Sequence, residues 1–234
     1  MKTFLLAIAL TGCSHHVFSP PSQAFGLTGI RPLAQGQRAL DVEVSRHAEI
    51  FDPAVFAGAG RLRTGIGDNA EVSVEGTLMQ VADTGPSTAD RSIYAGRAGV
   101  RSRPGNSPFA VFAGLGGGFA PAGGGFAAAD AGIAVGWDNC VLVPMLQGSG
   151  LISRPLAPRP IDVTTDLDHP QTATPRPTYG LDVRAGLRIS LTPFACRRGE
   201  PGMWLTGGLD ITTLVDAEQS QTLGGVGFGL EIPL

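Results

Sequence analysis

From residue 39 onward, apolar and polar side chains alternate with a period of two, the signature of strands with two unlike faces. Ten such segments can be marked, at 39–45, 54–63, 70–81, 92–103, 109–119, 125–137, 140–152, 179–191, 203–214 and 224–233. In the first, Leu40, Val42 and Val44 oppose Asp41, Glu43 and Ser45. In the eighth, Leu181, Val183, Ala185, Leu187 and Ile189 oppose Asp182, Arg184, Arg188 and Ser190.

The charges sort with the same period. Within the ten segments there are fifteen: Asp41, Glu43, Arg61, Arg63, Glu71, Glu75, Arg97, Arg101, Arg103, Asp130, Asp182, Arg184, Arg188, Asp210 and Glu231. In every segment with more than one, they share a parity. Seven are Arg and eight are carboxylates, so the charged face is nearly neutral as a set and is expected to form a ladder of ion pairs. The other face carries Val, Leu, Ile, Ala, Gly and a few aromatics.

A soluble barrel would turn the apolar face inward, whereas a membrane barrel turns it to lipid and lines its interior with the charges. The joins after the fourth, sixth and eighth segments have 5, 2 and 11 residues, and a Gly67-Asp68-Asn69 turn follows the second. Those after the first, third, fifth, seventh and ninth have 8, 10, 5, 26 and 9. Short turns at one end and longer loops at the other favour the membrane arrangement. So does a charge-free face, because Arg against lipid costs about 2–4 kcal/mol at the bilayer midplane. Phe109 and Trp137 would lie at the turn end and Phe119 and Tyr179 at the loop end, as a thin interfacial girdle.

In these features residues 39–234 resemble the small outer-membrane β-barrel family. The stretch from Arg61 to Val72, with its Gly-Asp-Asn turn, is similar to hairpins of that family. The ending Gly229-Leu230-Glu231-Ile232-Pro233-Leu234 is similar to the carboxy-terminal signal read by the barrel-insertion machinery. It departs from that signal in ending on Leu and in having Gly227 where a polar residue is usual. The resemblance implies an all-β, closed, antiparallel up-and-down transmembrane barrel of about ten strands, with eight as the alternative. It also implies a Gram-negative outer membrane, with its lipid and that machinery as partners.

Composition narrows the function classes. With 34 Gly and 18 Pro in 234 residues, long helices are not expected. Lys2 is the single lysine and the net charge is -3, which offers no basic surface for nucleic acid. No apolar run is long enough for a spanning helix.

At the amino terminus, Lys2 precedes an apolar run from Phe4 to Leu10, a secretory signal pattern. Leu10-Thr11-Gly12-Cys13 resembles the lipobox of bacterial lipoproteins, which implies removal of 1–12 and lipidation of Cys13. Residues 13–38, rich in Ser, Pro, Gln and Gly, read as a lipidated, flexible tether on the periplasmic side, leading to a barrel domain at 39–234. His15 and His16 lie in it without a carboxylate or thiolate cluster, so no metal site is expected.

With Cys13 acylated, Cys140 and Cys196 remain, and an even pair in an oxidising compartment reads as a disulfide. The 11-residue join holding Cys196 gives it the reach to cross to Cys140 at the same end. Ser45, His47 and Glu49 share a parity at the loop end and are the best catalytic candidate, but they point inward, so no enzyme and no cofactor is expected. The glycines Gly114, Gly116, Gly117 and Gly118 lack the Lys-Ser/Thr of a phosphate loop and read as close strand approach. The Pro-rich join from Ser153 to Thr178 is the candidate surface for an extracellular partner. The sequence supports an outer-membrane barrel lipoprotein with a structural or surface-interaction role. Its alternatives are a narrow charged pore and a tethered periplasmic barrel carrying an apolar ligand.

Overall fold

The computed structural model of the chain describes residues 17–23, 25–48, 54–82, 91–137, 139–162, 172–194 and 201–234. Ten strands close into an antiparallel up-and-down barrel: β1 (Arg38–Ala48), β2 (Ala54–Gly67), β3 (Ala70–Ala82), β4 (Ser92–Ser102), β5 (Phe109–Ala120), β6 (Gly124–Gly136), β7 (Leu142–Leu156), β10 (Thr178–Ser190), β11 (Trp204–Val215) and β12 (Ser220–Pro233). Each pairs with its chain neighbour, and β1 closes the barrel on β12 from Ala39↔Pro233 to Ala48↔Gly224. Closure leaves no barrel edge with unpaired backbone groups, which a sheet in hydrocarbon requires. The long join carries a small hairpin, β8 (Ile161–Asp162) with β9 (Thr172–Ala173). The fold class is the expected one, and ten strands displaces the eight-strand alternative.

Most strands run longer than the alternation marked and others are shifted by a residue, and this redistributes the joins. At the end where β1 begins, here the turn end, they are 68–69, 103–108, 137–141 and 191–203. At the opposite, loop end they are 49–53, 83–91, 121–123, 157–177 and 216–219. The contrast in length is weaker than the sequence suggested, because β6 and β12 begin earlier than their apolar runs do. Face chemistry therefore carries the membrane argument.

That chemistry is divided by the barrel wall. Among the described residues thirty-five large apolar side chains are exposed, including Val74 at 66%, Leu115 at 71% and Leu181 at 69%. Together they form a belt far larger than the roughly 300–600 Å² apolar patch of a typical soluble monomer. The outward charges on the barrel strands are Arg38, Arg46 and Arg154, each within three residues of a strand end. There a long side chain reaches the interface, as Arg46 does across the Phe56 ring at 5.7 Å. Phe109 and Trp137 are exposed at the turn end, and Tyr94, Phe119 and Tyr179 at the loop end.

The amino-terminal segment corrects the sequence reading. Residues 17–23 and 25–34 are not a solvated tether but run through the barrel. Phe25, Leu27 and Ile30 are among the most buried apolar residues, and Ser19 and Ser22 are buried with them. Proline, serine and glycine break up any period there, so the segment looked like a linker.

Candidate functional site

The lumen has two unlike walls. On β1–β4 the charges alternate in sign strand by strand: Asp41 and Glu43, then Arg61 and Arg63, then Glu71 and Glu75, then Arg97 and Arg101. Register sets Asp41, Arg61, Glu75 and Arg97 directly opposite one another in turn. The Arg61 guanidinium donates from Nε to Glu75 at 2.6 Å and from its terminal nitrogens to Glu43 at 3.1 and 3.2 Å. Arg63, only 1% exposed, clamps Glu71 with two bonds of 3.0 and 2.8 Å and reaches Glu231 at 2.5 Å. Both arginines also approach Asp41, at 3.4 and 3.5 Å. Each carboxylate thus meets guanidinium nitrogens, the condition for holding charges out of water without a penalty of several kcal/mol per ion.

Beyond this wall, Arg97 clamps Asp130 across β5 with bonds of 2.7 and 2.6 Å. A side chain at Gly114 would overlap that guanidinium, which is why the strand between them carries glycine. Arg188 pairs with Glu231 and lies 4.4 Å over the Trp204 ring. Arg184 is 2.5 Å from Asp182, which also accepts from Thr212 at 2.8 Å. Arg101 lies over Phe112, and Arg103 donates to the Ser107 carbonyl. Of the fifteen charges, fourteen are buried, and the Asp130 side chain is 13% exposed.

The second wall, on β7 and β10–β12, carries an apolar, notched patch beside its own charges, Asp182, Arg184, Arg188, Asp210 and Glu231. Val143, Met145 and Trp204 cluster with Phe25 and Leu27. A Cβ at Gly227 would strike the Phe25 ring, and Cβ atoms at Gly186 and Gly208 would strike Leu27. On the charged wall, Gln23 donates to Glu75 at 2.8 Å, Arg101 donates to the Gly29 carbonyl, and the Leu33 amide donates to Glu71 at 2.9 Å. The segment turns apolar side chains to one wall and polar groups to the other. A cavity of about 20 Å³ beside Gln23, Arg61 and Arg101 has room for about one water.

These luminal residues, from Ser19 to Leu33, escaped the sequence reading. Their one signal was indirect: glycines at inward positions of β10–β12 leave space that the barrel's own side chains do not fill. Ser45 and His47 face the lumen, where His47 Nε2 is 3.0 Å from Asp210; Glu49 lies outside the described residues. Among the described residues no group of His, Cys, Asp and Glu is arranged to hold a metal ion.

Cys140 precedes β7 instead of opening it and is not a free thiol. Asn139 organises this turn, accepting from the Val141 and Leu142 amides at 2.8 Å. Cys196, Cys13, His15 and His16 lie outside the described residues.

No family model matches the chain, and no curated protein matches it. Among solved structures it is similar to Neisserial surface protein A, with a TM-score of 0.35 and 12% identity over 84% of this chain and 95% of that one. It is also similar to the β domain of the Bordetella autotransporter BrkA, with a TM-score of 0.43 and 9% identity over 84% and 98%. The reading that follows rests on this chain's own geometry.

Proposed function

We propose that the protein is an outer-membrane barrel lipoprotein with a structural or surface-interaction role, closed by its own ion pairs and luminal segment. The observation that carries this reading is the inversion of a soluble protein: among the described residues, 35 large apolar side chains are exposed, while fourteen of the fifteen strand charges are buried. Such an exterior suits hydrocarbon, and such an interior suits a lumen whose charges are largely paired with one another. A carrier of apolar ligand fits poorly, because the space it would need is charged on one wall and filled by Phe25 and Leu27 on the other. A narrow pore fits poorly for the same reason.

In this reading Cys13 carries the lipid, and Cys140 and Cys196 form a bridge at the turn end. The partner surface expected between Ser153 and Thr178 falls on the 157–177 join with its small hairpin, the longest of the loop-end joins, since Ser153 and Thr178 themselves are buried in β7 and β10. The test is carbonate extraction with heat-modifiable gel migration, followed by conductance in planar bilayers. Retention in the membrane, a mobility shift on boiling and electrically silent bilayers are expected. Release by carbonate would overturn the membrane assignment, and a stable ion-selective current would overturn closure.

A further inference from the structure

We infer that the chain upstream of Val17 emerges at the loop end of the barrel, having passed through the lumen, so that an acyl group on Cys13 sits in the outer leaflet. This rests on the outer-membrane reading but reverses the side on which the sequence pattern places the anchor.

The path is fixed at both ends. Phe18 forms a parallel bridge with Arg176, next to β10 at the loop end. Beside it the Ser19 amide donates to Thr178 Oγ1 at 2.8 Å, the Ser19 and Ser153 hydroxyls lie 2.8 Å apart, and Ser153 Oγ donates to the Pro20 carbonyl at 2.6 Å. At the other end, Leu33 is tied to Glu71 near the start of β3. The Gly36 amide donates to the Gly65 carbonyl at 3.0 Å, and the Gly65 amide donates to the Gln37 carbonyl at 2.9 Å. Between these anchors the segment crosses the full height of the barrel and then reverses into β1 at the turn end.

Chain length decides the consequence. Four peptide steps separate Cys13 from Val17. They reach at most about 14 Å even when fully extended. The hydrocarbon layer is about 30 Å thick. A lipid at Cys13 therefore cannot lie in the turn-end leaflet while Ser19 keeps its partners at the loop end. The turn end also holds the C-terminal strand end that resembles the signal for insertion from the periplasm, which makes the loop end the outer one. A barrel that holds its own leader segment in this way would display a lipid-anchored amino terminus at the cell surface.

The test places one peptide epitope at a time between His16 and Val17, between Asp68 and Asn69, and between Pro158 and Arg159. Each variant is checked for heat-modifiable migration and probed with antibody on intact and permeabilised cells. The first and third epitopes are expected to be labelled on intact cells, and the second only after permeabilisation. If the first behaves like the second, the threaded path is overturned. If only the second is labelled on intact cells, outward display is overturned while the membrane barrel stands. Carbonate release would instead count against the outer-membrane reading itself.

A protease site at the first position tests the acyl placement. Cutting on intact cells should separate the barrel from metabolically incorporated palmitate. Label that stays with the cut barrel, or is never incorporated, overturns it.

Discussion

Arg97→Met should leave the Asp130 carboxylate inside the barrel without its clamp. Both bonds from the guanidinium, at 2.7 and 2.6 Å, end on that one carboxylate, and the two side chains are 6% and 13% exposed. Breaking a buried pair from one side typically costs 3–5 kcal/mol. Residual water access at Asp130 brings the expectation down to about 2–4 kcal/mol. The loss should be smaller for Asp130→Asn, because Arg97 retains Glu75 as its direct cross-strand neighbour. Replacing both, as Arg97→Met with Asp130→Leu, removes the uncompensated charge and should return stability to within about 1 kcal/mol of the parent. Urea unfolding in lipid vesicles, followed by tryptophan fluorescence, gives the double-mutant cycle. Additive losses, or a single-variant loss well under 1 kcal/mol, would refute the pairing argument.

Gly227→Val puts its Cβ into the Phe25 ring and should displace the luminal segment, at a cost of about 1–3 kcal/mol from overpacking. Because the ion pairs are untouched, the barrel should still migrate as a folded, heat-modifiable species but admit ions in planar bilayers; a silent variant would argue against the segment as the seal. The proposed bridge between Cys140 and Cys196 predicts a reductant-dependent gel mobility, abolished by Cys140→Ser. Two freely alkylated thiols in the unreduced protein would refute it. Phe25→Ala removes a nearly fully buried ring and should raise protease sensitivity at the amino-terminal segment, leaving barrel migration intact.

The barrel was legible because a period of two survives in almost every strand, and because each charge had a parity to betray its side. The partners of those charges were not legible. Arg97 reaches over β5 to Asp130, a contact two strands away that no spacing within one strand encodes. The luminal segment was hidden for a different reason. An extended chain that is satisfied by two walls of a surrounding barrel needs no periodicity of its own, so Phe25, Leu27 and Ile30 read as scattered apolar residues in a linker. Their complement was present in the sequence as Gly186, Gly208 and Gly227, but glycine in a strand has several explanations. Loop lengths misled slightly, since strands continue through glycine and polar residues beyond the last alternating apolar position, as in β12.

The central claim, a barrel with lipid outside and its own residues within, is tested most directly by a nitroxide scan along β3. Single cysteines would be placed at 71–79 of the protein in outer-membrane lipid, with the native cysteines replaced by serine. The account predicts that labels at 72, 74, 76 and 78 collide with oxygen but not with a water-soluble relaxant, alternating with protected labels at 71, 75, 77 and 79. Outward labels that collide freely with the water-soluble relaxant would contradict it.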